Sequence, residues 1–163
     1  MITIALSTVI GAERERVLRA LTRPTERIRW DERLVELLEP SAGDPRPGQV
    51  LRWRYRLGAI SVELHERPLE VRPPERLHCE EALGLFRFSV IYALGVESGA
   101  PDRAADRTKL SLRLATANSV AVVGGTLDRF DVRRVASEFL DAQLRALQKW
   151  CESTPEPGLP PAP

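Results

Sequence analysis

The sequence predicts an α+β fold: an antiparallel β-sheet wrapped round one long C-terminal α-helix, with two short helices after the first strand. Three observations carry this. Residues 49–117 alternate apolar and polar side chains between short turn signals, the pattern of a β meander. After Gly124-Gly125 the apolar period lengthens to about 3.6. Between the first strand and the meander lie two short segments of helical character.

ITIALSTVI, residues 2–10, is rich in β-branched residues and reads as a strand that Gly11 ends. AERERVLRALT follows, with Val17, Leu18 and Leu21 on one helical face and charges on the other. Pro24 opens a second short helix, PTERIRW, where its missing N–H does no harm. RLVELLE, residues 33–39, fits helix or strand, and its place between proline-rich punctuation favours a strand. SAGDPRPG, residues 41–48, is a loop. QVLRWRYRL, ISVELHER, LHCEEAL, FRFSVIYALGV and RTKLSLRLATA are strands. Pro68 is expected to break or bulge the second of these, leaving LEV as a separate short run before a turn at RPPER. Residues 97–106 read as an exposed loop. The C-terminal helix carries an apolar stripe of Val132, Val135, Phe139, Leu140, Leu144 and Leu147 and ends near Trp150-Cys151. Residues 1–151 therefore make one domain, and residues 152–163, with five prolines, a disordered tail.

LRWRYRL, residues 51–57, poses the question of partner. With Gly58-Ala59 as a two-residue turn, Leu57 faces Ile60, Tyr55 faces Val62, Trp53 faces Leu64, Arg54 faces Glu63 and Arg52 faces His65. A nucleic-acid comb needs aromatics and arginines on one face, because stacking and phosphate neutralisation share a surface. Period 2 separates them here, so Arg52, Arg54 and Arg56 form a solvated face. A second turn at Gly84-Leu85 sets Leu83 against Phe86, Glu81 against Phe88, Cys79 against Val90 and Leu77 against Tyr92. One sheet face thus collects the aromatics with Leu64, Leu110, Leu112 and Leu114, and a single amphipathic helix covers it.

Composition narrows the class further. Net charge is +1, from 24 basic and 23 acidic residues, without the basic excess of a nucleic-acid binder. Two cysteines without CxxC spacing and two histidines make no metal site. No cofactor motif is present either: there is no GxSxG and no phosphate loop. The N-terminal apolar stretch is short, interrupted by polar residues and not preceded by a basic residue. It reads as neither signal peptide nor membrane span, and a cytoplasmic location is expected.

Four local words occur in order: ERVLRALTRPTERIRW after the first strand, RPG before the third, EVRPPERL between the fourth and fifth, and GGTLDRF entering the last helix. With the order of elements, they span about residues 2–150. In these the chain resembles the START-like superfamily, also called SRPBCC or polyketide cyclase/dehydrase-like. RPG and PPERL also resemble the branch related to activators of a heat-shock ATPase, but that branch tends to carry a second tryptophan after RIRW, where Asp31 stands here. The resemblance implies a helix-grip fold, a curved sheet gripping the helix with a cavity between them. That cavity binds apolar molecules in superfamily members, and in a minority it catalyses cyclisation or dehydration. The superfamily shares no catalytic signature, so no catalytic residue carries over.

The candidate ligand-binding residues are Trp53, Tyr55, Leu64, Glu66, Glu81, Phe86, Phe88, Tyr92, Leu112 and Phe139. Glu66 and Glu81 are the polar oddities of the inward face. Among aromatics their neutral forms are favoured, which suits an acid or base. Alternatively each lies at the cavity mouth or is turned outward by a bulge, and Pro68 points to a bulge near Glu66. Glu81 with Tyr92 is the candidate polar end of an apolar pocket. His65 and His78 fall on the outer face, and Cys79 points inward as a small hydrophobe.

Three functions follow. The first is a carrier or sensor enclosing a small aromatic or lipid-like molecule, with a sealed cavity and few polar groups. The second is a cyclase- or dehydratase-like enzyme with Glu66 or Glu81 as acid-base residue, which needs two titratable groups converging on one point. The third is a protein-interaction module, with a filled core and a large exposed apolar patch. Outward Ile91 and Ala93 are compatible with a homodimer.

Overall fold

The computed structural model describes residues 1–39, 45–97, 107–117 and 129–153, the side chains of residues 129–132 excepted. Ten elements follow in order: β1 (Ile2–Ile10), α1 (Arg14–Thr22), α2 (Pro24–Trp30), β2 (Leu34–Leu37), β3 (Leu51–Leu57), β4 (Ile60–Arg72), β5 (Arg76–Leu83), β6 (Phe86–Val96), β7 (Thr108–Thr116) and α3 (Arg129–Ser153). The seven strands form one antiparallel sheet in the order β1-β7-β6-β5-β4-β3-β2. The last strand of the meander closes on the first of the chain, and β2 lies at the far edge.

Both predicted hairpin registers are observed pair for pair, from Leu57 with Ile60 to Arg52 with His65, and from Leu83 with Phe86 to Leu77 with Tyr92. Gly58 and Gly84 hold the turns at φ of +61° and +60°, the backbone that a two-residue hairpin turn requires. Pro68 does bulge β4, between Pro68 and Glu70, but it does not break it. The strand runs on through Leu69, Glu70 and Val71, because a bulge accommodates the missing donor without ending the ladder. The outer arginines form a solvated face, as expected, and Arg52 and Arg54 are ion-paired. The pairing departs from the β3–β4 register, however: Arg52 reaches Glu63 on the diagonal, and Arg54 pairs with Glu36, directly opposite it on β2.

The inner face is covered by more than the one helix expected. Leu140, Leu144 and Leu147 of α3 are buried, and so are Val17, Leu18, Ala20 and Leu21 of α1, which packs against β6 and α3. Val135 departs from the predicted stripe and is 56% exposed. Gly11 N donates to Glu152 Oε1 at 2.9 Å and Gln148 Nε2 to the Val9 carbonyl at 3.2 Å, which fixes the C-terminal end of α3 against the end of β1. No helix among the described residues is long and apolar enough to cross a membrane. Residues 41–44 and 98–106 of the predicted loops, the Gly124-Gly125 turn, the Val132 side chain and the tail from residue 154 lie outside the described residues.

Candidate functional site

The interior is not one continuous apolar core. One cluster gathers side chains from β1, β5, β6, β7, α1 and α3. A second, smaller one holds Leu34, Leu51, Trp53, Tyr55 and Leu64. Phe88 and Phe139 touch both. At the seam between them lies a group of charged and polar side chains.

Arg27 anchors that group. In the seven residues of α2, Arg27 and Trp30 stand three apart and share a helical face, so both are carried into the interior. Trp30 Nε1 donates to the Ala20 carbonyl at 2.9 Å. Arg27 Nη1 donates to the Glu66 carboxylate, and its guanidinium carbon stands 5.5 Å from the centroid of the Trp53 ring. Glu66 points inward and is 4% exposed. The β4 bulge falls beyond it and leaves its orientation unchanged. Burial, the largest single influence, works against the Arg27 charge, but Glu66, Tyr92 and Glu81 together outweigh it and raise the Arg27 pKa.

Glu81 of β5 lies directly across the ladder from Glu66. Two like charges at directly opposed positions repel. Desolvation first, then Glu66, push the Glu81 carboxyl up to about 8, with Arg27 only partly offsetting them. At neutral pH Glu81 is therefore mainly a carboxylic acid, able to donate as well as accept. Tyr92 of β6, four residues along from Phe88, the direct partner of Glu81, is raised by burial and by Glu81, so its hydroxyl keeps its proton. Burial also raises Tyr55 and Cys79, which rules out a reactive thiolate at Cys79.

The two helices meet at the rim of the seam. Asp31, at the end of α2, accepts from Gln143 Nε2 of α3 at 3.2 Å. The Arg33 guanidinium lies 3.5 Å from the centroid of the Phe139 ring, and Phe139 lies 6.2 Å from Tyr55. α2, α3 and the β2–β3 edge are thus held together around the polar group.

Of the ten candidate residues, Trp53, Glu66, Glu81 and Tyr92 are brought together around Arg27. Tyr55 and Phe139 meet at the rim, and Phe86 stacks on Phe88 with ring centroids 5.5 Å apart. Leu64 packs with Trp53 in the smaller cluster and Leu112 sits in the larger one, opposite Tyr92. Arg27, Asp31 and Gln143 are the participants that sequence reasoning missed. The available signal was Arg27 lying three residues before Trp30, on the face that the tryptophan marks as buried.

A trough of about 480 Å³ is a further feature. It is lined by Val50, His65, Arg67, Glu80, Ala82, Arg87, Ser89, Ala115 and Ala117, positions of the outer face. Glu81, Phe88 and Thr116, whose side chains alternation assigns to the inner face, also border it. The trough is thus lined mainly from the outer face and shares Glu81 with the polar seam. His65 and His78 also stand on this outer side, bonded to Glu63 and Ser89.

The fold is that of START-like proteins. A START superfamily protein from Mycobacterium smegmatis superposes with a TM-score of 0.70 at 16% identity, over 92% of this chain and 97% of that one. Protein CV1439 from Chromobacterium violaceum gives 0.69 at 20% identity, over 93% and 98%. DynU16, a protein of the dynemicin biosynthetic locus, gives 0.65 at 16% identity, over 93% of this chain and 47% of that one. At these identities the likeness is one of fold. No family model matches the sequence, and no curated protein matches it.

Proposed function

We propose that the protein binds a small, mainly apolar molecule, aromatic or lipid-like, between the inner face of the sheet and α3, as a carrier or sensor. The observation that supports this best is the divided interior. Two apolar clusters flank a buried polar group, which suits a ligand with an apolar body and one polar end. In this reading Trp53, Tyr55, Leu64, Phe86, Phe88, Leu112 and Phe139 contact the body, and Glu66, Glu81 and Tyr92 serve the polar end. The START-like fold favours a ligand-binding role, and the biosynthetic setting of DynU16 favours a small organic molecule. Cys79 and Cys151 are unpaired and buried, which fits a reducing compartment such as the cytoplasm.

A second reading has one observation in its favour. Glu66 and Glu81 face one another with Arg27 beside them, the convergence of titratable groups that acid-base catalysis needs. Catalysis on the bound molecule, of the cyclase or dehydratase kind, is the alternative to carriage. The homodimer suggested by Ile91 and Ala93 is checked by light scattering on the eluting protein.

Native mass spectrometry of gently purified protein, beside the same sample denatured, tests the binding reading. The expected result is a mass surplus seen only in the native spectrum, or saturable uptake of Nile red by protein that arrives empty. A bare chain mass together with no saturable uptake would overturn it.

A further inference from the structure

Two donors in the polar seam have no partner among the described residues, Arg27 Nε and Trp53 Nε1. Both side chains are more than nine-tenths buried, at 6% and 0% exposure. A buried donor without an acceptor has lost its hydration and gained nothing in return. The two belong to groups packed on one another, and Arg27 spends Nη1 on Glu66. These two donors, unlike Arg27 Nη1, meet none of the seam's acceptors.

Resting on the binding reading above, we propose that the bound molecule carries an uncharged carbonyl-type oxygen, and that this oxygen accepts hydrogen bonds from Trp53 Nε1 and Arg27 Nε. Charge selects among the possible acceptors. The Arg27 charge is already matched by Glu66, and Glu81 stands directly opposite Glu66. A ligand carboxylate placed at these donors would meet both of these carboxyl groups, and the next cation among the described residues, Arg33, stands at the rim on Phe139. An ammonium group would face Arg27 and leave both donors unpaired. A ketone, ester or amide oxygen brings two lone pairs and no charge, which is what two orphaned donors in a balanced site require. The apolar remainder of the molecule lies along Phe88 and Phe139, the side chains common to the two clusters. Trp53 then sets specificity, since it carries one of the donors.

Three probes of one shape test this on the full chain: 2-acetylnaphthalene, 2-ethylnaphthalene and 2-naphthoate, each displacing Nile red. The ketone is expected to displace the dye at about tenfold lower concentration than the hydrocarbon, the yield of one to two buried hydrogen bonds, and the carboxylate to be the weakest. Trp53→Phe is expected to reduce the ratio of ketone to hydrocarbon affinity several-fold, whatever it does to the hydrocarbon alone. Because Trp53 is wholly buried, the infrared carbonyl band of 2-acetylnaphthalene on the wild-type protein gives a second readout. It should fall below its position in cyclohexane. Equal displacement by ketone and hydrocarbon, stronger displacement by the carboxylate, or an unshifted carbonyl band would overturn the assignment of the oxygen and leave the binding reading standing. Failure of the protein to take up Nile red or any probe would remove both.

Discussion

Replacing Glu81 with glutamine should make the protein more stable at alkaline pH and leave it nearly unchanged in mild acid. The Glu81 carboxyl is raised from its ordinary 4.5 to about 8 by desolvation and by Glu66 across the ladder. A raised folded-state pKa means that the folded protein holds this proton more tightly than the unfolded chain does. The stabilisation is complete below about pH 4.5. It is lost as pH rises toward about 8, at about 1.4 kcal/mol per pH unit. Across that window of about 3.5 pH units the ceiling is about 5 kcal/mol. Glu81 is only half-buried and the nearby Arg27 charge partly favours its ionised form, so about 2–3 kcal/mol is the expected loss in the wild type. Glutamine keeps the shape and the donor of the neutral acid but cannot ionise. Urea unfolding followed by tryptophan fluorescence, from pH 5 to pH 9, measures the difference. Glu81→Gln should gain about 2–3 kcal/mol on the wild type over that range, with the same denaturant slope. Parallel pH profiles for the two proteins would refute the reasoning, since they would place the Glu81 carboxyl in water.

The Arg27–Glu66 pair gives a second prediction. Arg27→Ala or Glu66→Ala should each cost about 3–5 kcal/mol in urea unfolding, because each strands a buried partner, and the double variant Arg27→Met, Glu66→Met should cost less than either. In the apolar part of the core, Leu147→Ala removes a side chain that is 1% exposed and should cost about 2–5 kcal/mol by the same measurement. Gly84→Ala meets no atom within 4 Å but keeps φ at +60°, so its cost is backbone strain alone, about 1 kcal/mol in thermal or urea unfolding.

The parts of the fold that local rules govern were legible in the sequence. A two-residue turn with glycine at its first position leaves one register, and strict alternation then assigns each side chain to a face; this is why Trp53 through Leu64 and Cys79 through Tyr92 fall where they were placed. The inward direction of Glu81 follows from the same rule. The direction of Glu66 depended on which side of it the bulge fell, and Pro68 alone does not say. Arg27 was not legible, because its role comes from a contact thirty-nine residues away. Read within α2 alone, an arginine between glutamate and isoleucine looks like a solvated face. The exposure of Val135 was missed for a related reason: the period of a helix does not reveal where the surface that it packs against ends. The division of the interior into two clusters, with the Arg27–Glu66 pair linking α2 to β4, is likewise a tertiary property.

The central claim is that the space between the inner face of the sheet and α3 accepts an apolar molecule. Diffraction from a crystal of the protein pressurised with xenon tests this most directly, since xenon enters apolar cavities whatever their natural ligand. Xenon density beside Phe88, Tyr92 and Phe139 is the predicted result. An interior without xenon between the sheet and α3, in crystals where xenon reaches other sites, would contradict the account.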